Sequence, residues 1–330
     1  MGNIEALEIS DEANVGRRTG AIERILGLFL PLATILLMAV FASQSDAFLT
    51  VANLRGITLQ SAATVVLAIP TALLLMSSGI DLSIGSTLAV SGVVAGLFWQ
   101  QEQVWLGLLA GLGVGIVVGL VNGSLVSLAG LNPIVVTLGT LAVGRGIAQV
   151  LAGNPIFEFP ESVVEFGAGS LLEVPNLVWV AVVITLVGML VLNLLPFGKH
   201  LVAIGVNERA AYLVGLRVKL IKLSLYVGTA LGAAVAGMML AARFNSAPGG
   251  TLGVGTELIV LTAVLLGGVP FSGGRGALWR VVIGVLLLGI LRNGLVLLNF
   301  SSEAAQIALG TVLIVAAALE LIRQRVFRSQ

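Results

Sequence analysis

The chain has 330 residues, of which 58% are hydrophobic and 10% charged, with a mean hydropathy of +1.09 and a net charge of +1. Soluble domains carry roughly a quarter charged residues, so this composition excludes a soluble globular protein and describes a polytopic, all-α membrane protein. Its charges matter by position and not by sum. With no cysteine and a single histidine, His200, there are no disulfides, no thiolate metal sites and no histidine constellation. No H-E-x-x-H or G-x-S-x-G motif occurs either, so no catalytic residue, metal or cofactor is expected.

Residues 1–23 are mixed-charge and polar, and the apolar run after them is too long for a secretory signal and lacks a cleavage site. A retained first span is expected there. At roughly 20 apolar residues per crossing, about ten spans follow within a transmembrane domain of 24–322: 24–42, 58–76, 83–99, 104–128, 133–151, 177–195, 223–242, 257–269, 277–298 and 304–322. The eighth is short. An even count puts both termini on one side, and the positive-inside rule chooses the cytoplasm. Arg17, Arg18, Arg24, Lys199, Arg209, Arg217, Lys219, Lys222, Arg275, Arg280, Arg323, Arg325 and Arg328 then all face inward, with 323–330 as a cytoplasmic tail. The longest outer loop, 152–176, holds Glu158, Glu161, Glu165 and Glu173 without a basic residue, and Pro155, Pro160 and Pro175 predict an irregular loop.

Asp81 opens the third span, where it can cap free helix N–H groups or, as an ionisable group at membrane depth, serve in gating. In the fourth span Gly107, Gly111, Gly115, Gly119 and Gly123 recur every four residues along one side of the helix. That spacing fits a close packing seam or a smooth wall along a substrate path. Arg145 and Arg292 lie in the outer parts of spans. Each can snorkel to the interface, pair across the bundle or bond a polar substrate, with Asn122 and Asn293 as further path candidates. Glu257 is expected to cap the short eighth span.

The segment 198–222 is a basic, partly polar island in this apolar chain. Asn207 is a good N-cap, Glu208 suits a first turn, Ala210 and Ala211 favour helix and Gly215 terminates it. A helix of about two turns is predicted, near 10 Å long, too short to stand without a surface to rest on. Arg217, Lys219 and Lys222 can anchor its far end at anionic lipid; an ordinary positive-inside loop is the alternative. The glycine-rich 267–276 lacks the Gly-Lys-Ser/Thr of a phosphate loop and reads as a tight cytoplasmic turn. A shift of about 171 positions aligns Leu120, Asn122, Gly123, Leu138, Gly139 and Thr140 with Leu291, Asn293, Gly294, Leu309, Gly310 and Thr311, on span pairs of opposite direction. Such an inverted repeat is a transporter feature.

Four segments carry a resemblance: GIDLSIGS at 79–86, the stretch at 119–148, AIGVNERAAYLVGL at 203–216 and LLGGVPFSGGRGALW at 265–279. In order, over about 50–320, they resemble the permease subunits of ribose/xylose-type sugar ABC importers, within the branched-chain amino acid permease superfamily. The resemblance implies the ten-span type II importer fold and a path for a monosaccharide or similar polyol. It implies as partners a second permease subunit, two cytoplasmic ATPase subunits or one tandem ATPase, and a periplasmic or lipid-anchored binding protein. Membrane lipid is the surrounding medium, nucleic acid has no part, and the location implied is a bacterial cytoplasmic membrane. By the same likeness Asn207, Glu208, Ala210, Ala211 and Gly215 form the helix that couples to the ATPase, and Asp81, Asn132 and Pro133 fall on family motif positions. Val269 and Pro270 depart from the pattern, standing where related chains more often carry Ser or Thr. The alternatives are a branched-chain amino acid permease and an ion-coupled secondary transporter, though no clear mid-span carboxylate supports the latter.

Overall fold

The structure, a computed structural model, describes residues 30–153 and 156–328. The expected segment 1–23, the start of the first span, Arg17, Arg18, Arg24, Pro155 and the side chains of Arg323, Arg325 and Arg328 lie outside the described residues. Among the described residues, six helices are long and apolar enough to cross a membrane: α2 (Val51–Met76), α4 (Val104–Gly123, prolonged to Leu128 by a π-helical turn), α5 (Pro133–Ala152), α7 (Asn176–Asn193), α10 (Val218–Phe244) and α12 (Leu278–Leu297). The other four expected spans fall on shorter apolar helices, α1 (Leu30–Gln44), α3 (Ile84–Trp99), α11 (Thr256–Leu266) and the Glu303–Ala318 part of α13 (Ser302–Arg328). Length alone therefore does not carry ten crossings.

The centre of the bundle is α10 with α2 and α3 packed against it, and all three are buried along most of their length. A helix that is apolar all round belongs in a core or in lipid, and here both occur, because α4, α5 and α7 leave most of their apolar surface uncovered. Pro70 stands inside α2 and withholds one intrahelical hydrogen bond. Gly232 of α10 leaves room for its ring, since an added Cβ would lie 2.6 Å from Pro70 Cγ, and Thr229 Oγ1 donates to the Pro70 carbonyl at 3.3 Å.

Along α4 the glycine seam is the surface on which α3 and α10 approach. A Cβ at Gly107 would stand 2.5 Å from Trp99 Cδ1, at Gly111 2.6 Å from Met238 Sδ, at Gly115 2.8 Å from the Ala230 carbonyl oxygen and at Gly119 2.5 Å from Val227 Cα. At Gly123 the approach relaxes to 3.2 Å, from Leu223 Cα. Backbones this close gain dispersion contacts that any side chain would prevent.

The loop expected to be irregular at 152–176 is only partly so. Pro160 precedes a short amphipathic helix, α6 (Glu161–Ala168), whose Gly167 rests against the backbone of Ala242. Two small antiparallel pairs complete the region, with Ile156–Phe157 (β1) opposite Ser246–Ala247 (β4), and Ser170–Leu171 (β2) opposite Val174–Pro175 (β3). Pro160 and Pro175 stand just before α6 and α7, and between them eight residues fold against α10.

At the other end of the bundle, 198–222 is not a loop with one helix in it. Residues Pro196–Val206 form α8, and only then does α9 (Glu208–Leu213) begin. Apolar residues at Leu201 and Ile204 give α8 a buried side, and Pro196 stands in its first turn. The tight turn at 267–276 has positive φ at Gly268, Gly273, Gly274 and Gly276. It is held to the end of α2 by the Gly274 amide donating to the Met76 carbonyl at 2.8 Å and by Ser78 Oγ donating to the Ser272 carbonyl at 2.7 Å. Gly205 of α8 lies against Met76 and Gly274 with no space for a Cβ, so three segments meet as one platform.

Candidate functional site: a polar cavity and a capped helix at opposite ends of the bundle

Gln60, Ala63, Thr64 and Leu67, in the middle of α2, face a cavity of about 520 Å³ whose other walls come from the ends of α10 and α12 and the connection before α11, while the last residues of α2 join the platform that carries α9. The cavity therefore lies toward the end of the bundle opposite that platform. The cavity's polar wall comes from Gln60 and Thr64 of α2, Arg243 of α10, Thr256 of α11 and Arg292 and Asn293 of α12, with Thr251 from the preceding connection. Leu67 and Leu88, both fully buried, belong to its apolar lining.

Of the five residues proposed from sequence for a path, Arg292 and Asn293 line this cavity and Asp81, Asn122 and Arg145 do not. Asn293 exchanges two side-chain hydrogen bonds with Asn53 of α2. Arg145, expected to snorkel among other options, turns inward and donates from Nη1 to the Leu252 carbonyl at 2.6 Å, tying α5 to the 245–255 connection. Glu257 does not cap α11: Gly255 occupies the cap position, and the carboxylate lies against Gly85 with Oε2 buried and unbonded. Arg145 feels its charge, yet the two are not paired within 4 Å.

Asp81 also departs from the expected cap. Ser83 stands at the cap position of α3 and makes no side-chain cap bond, while Asp81 Oδ1 accepts from the Ser83 amide at 2.8 Å and from Ser83 Oγ at 2.6 Å. The carboxylate thus shapes the turn before the helix, because its chain position is two residues too early to reach the free N–H groups. Asn122 Nδ2 donates to Ser83 Oγ at 2.9 Å, and Thr140 Oγ1 donates to Asn122 Oδ1 at 2.6 Å. One buried polar chain thereby joins the turn before α3 to α4 and α5. Asp81 Oδ2 is buried without a partner.

At the far end, Asn207 Oδ1 accepts from the Ala210 amide at 2.9 Å and Gly215 turns the chain at φ +88°, as the residue types require. Ala211 packs into a small cluster with Ile204 and Val218. Tyr212, Leu213 and Val214 remain exposed. Lys222, expected at the lipid surface, instead brings its Nζ to Glu208 Oε2 at 2.6 Å and so fastens α9 to α10. Arg217 and His200 border a shallow recess with Leu220.

Sequence reading missed Arg243, Gln60, Thr64, Thr251 and Thr256. A signal existed for Arg243, which closes an apolar span just before Asn245 and Pro248. The hydroxyls and Gln60 look like ordinary small polar residues of a span, and only the packing of α2 against α11 and α12 gathers them.

An all-α bundle of apolar helices that encloses a polar cavity, with a short capped helix standing off the far end, is a polytopic membrane protein built around an internal site. A family model described as branched-chain amino acid transport system / permease component matches residues 53–317, and the chain belongs to that family. It is 33% identical over 298 residues to the D-allose transport system permease protein AlsC of Escherichia coli K12, covering 89% of this chain and 90% of the relative. It is 34% identical over 291 residues to the ribose import permease protein RbsC of the same strain, covering 86% and 90%. With the L-arabinose transport system permease protein AraH of that strain it shares 34% over 284 residues, 86% of each chain. No solved structure matches the chain significantly.

Proposed function

We propose that this chain is the membrane permease subunit of an ATP-driven importer and forms the path for a monosaccharide or similar polyol. The observation that carries the reading is likeness along nearly the whole chain to permeases named for allose, ribose and arabinose. A cavity rich in hydroxyl and amide groups suits such a cargo, because each ring hydroxyl needs a donor or acceptor when it leaves water. The amino acid permease alternative is not favoured, since each of those relatives is named for a sugar.

In this reading the helices make ten crossings in a bacterial cytoplasmic membrane, with both termini inside and the cavity toward the outside. The chain pairs with a second permease subunit. An external binding protein delivers cargo, and separate ATPase subunits, two chains or one tandem chain, supply the energy. Residues 207–215 dock in the ATPase, where the exposed Tyr212, Leu213 and Val214 supply apolar contact area. Asn207 caps that element, Lys222 steadies it through Glu208, and the α8 platform transmits its displacement to α2. ATP binding then moves the docked helices and opens the path to one side at a time.

The test is capture of the cognate ATPase by the detergent-purified chain. Wild-type protein retains it, Tyr212→Ala/Leu213→Ala loses it at unchanged folding, and the permease alone hydrolyses no ATP. Substrate accumulation that persists after deletion of every candidate ATPase would overturn the reading.

A further inference from the structure

Among the described residues, the cavity between α2, α10 and α12 is lined by positive charge only: Arg243 and Arg292 face it, and no Asp or Glu does. Neither guanidinium belongs to an ion pair among the described residues. Glu257 follows the lining residue Thr256 in sequence, but its carboxylate is turned to Gly85 and interacts with Arg145.

The two cations differ in how well the fold accounts for them. Arg243 stands in the last turn of α10, where the helix dipole favours a cation, and its guanidinium packs over the Phe244 ring at 5.3 Å. Arg292 lies more than a turn short of the end of α12 and has neither support. It also borders the small adjoining recess beside Ser61, so it stands between α2 and α11. Arg243 is half-buried and Arg292 exposed, so the two like charges lining one cavity repel through a partly solvated space, and a ligand of opposite charge offsets that repulsion. A neutral polyol can occupy their hydrogen-bond donors but leaves both charges standing. Gln60, Thr64 and Asn293 beside them are suited to hydroxyl groups.

We infer that this cavity takes a polyhydroxylated ligand bearing a negative charge, such as a sugar acid, and that Arg292 is the residue that selects for the charge. The inference rests on the permease reading above and narrows its cargo. Phosphate esters share the chemistry and belong to the same class of ligand.

The experiment titrates the purified chain, in nanodiscs of uncharged phosphatidylcholine, with ribose and ribonate, with galactose and galacturonate, and with glucosamine. Each acid should bind about tenfold or more tightly than its neutral partner, the amino sugar should bind least, and added salt should narrow the gap. Arg292→Gln should bring acid and neutral sugar to near equality. Arg55→Gln, which removes an exposed cation from the same end of the bundle outside the cavity, should keep the preference. A neutral sugar binding as well as its acid, or an unchanged preference in Arg292→Gln, overturns the inference and leaves the polyol permease intact. No binding of any probe overturns it too, and ATPase capture then decides separately whether the chain is still an importer subunit.

Discussion

Asn53 of α2 and Asn293 of α12 form a reciprocal amide pair: Asn53 Nδ2 donates to Asn293 Oδ1 at 3.1 Å, and Asn293 Nδ2 donates to Asn53 Oδ1 at 2.9 Å. Asn53 Nδ2 also donates to the Phe48 carbonyl at 2.8 Å, so the pair fixes the entry to α2 as well as the rim of the cavity. Asn293→Leu should cost about 1 kcal/mol, the scale of interhelical polar contacts in membranes. Asn53→Leu/Asn293→Leu should cost less than the sum of the single changes, because the second removes a group already unpaired. Reversible unfolding in mixed micelles measures all three, and additive losses would show that the pair contributes nothing as a pair.

Gly119 and Gly113 lie on the same helix in opposite circumstances. A Cβ at Gly119 would meet Val227 Cα at 2.5 Å, whereas one at Gly113 has nothing within 4 Å. Gly119→Ala should therefore destabilise by about 1–3 kcal/mol, as overpacking against backbone does, and Gly113→Ala should leave thermal unfolding in detergent at or slightly above wild type. Equal effects at the two positions would contradict the seam.

Arg145 holds the Leu252 carbonyl at 2.6 Å, one residue before a glycine with φ +69°. Arg145→Gln should loosen the 245–255 connection while leaving α5 in place. Hydrogen exchange read by mass spectrometry should show about tenfold faster exchange there, equivalent to losing about 1.4 kcal/mol of local protection. Unchanged exchange at 245–255 would mean that the contact has no part in ordering the connection.

The absence of cysteine permits a direct assay of orientation. Arg209 and Glu161 are both exposed, at opposite ends of the bundle. Arg209→Cys should react with an impermeant thiol reagent only from the cytoplasmic face, and Glu161→Cys only from outside. The reverse labelling would invert the topology and place the cavity inward.

Local chemistry was legible wherever it depended on neighbours in the chain. Asn207 as a cap, Gly215 as a terminator and the glycine periodicity of α4 each follow from residue type and spacing, and α9 has its expected bounds within a residue or two. Asp81 and Glu257 do not serve as the expected caps, because a cap is a matter of one or two residues of register and Ser83 and Gly255 hold those positions. Helix α8 is hidden in the sequence by its polar residues, Lys199 and His200, which sit on a helix whose buried side is Gly198, Leu201 and Ile204.

By itself, the sequence determined that this is an all-α membrane protein, where its long apolar helices run and which short element stands apart from them, since hydropathy and backbone preference act within about twenty residues. Tertiary structure alone decided that Arg243 and Arg292, distant in sequence, face one cavity, that Asn293 pairs with Asn53, and that Lys222 serves Glu208 and not lipid. These are contacts between helices. In an environment as apolar as the helices themselves, partners are set by shape and by the few polar groups that must find one another, and no local property of the chain encodes which of them will.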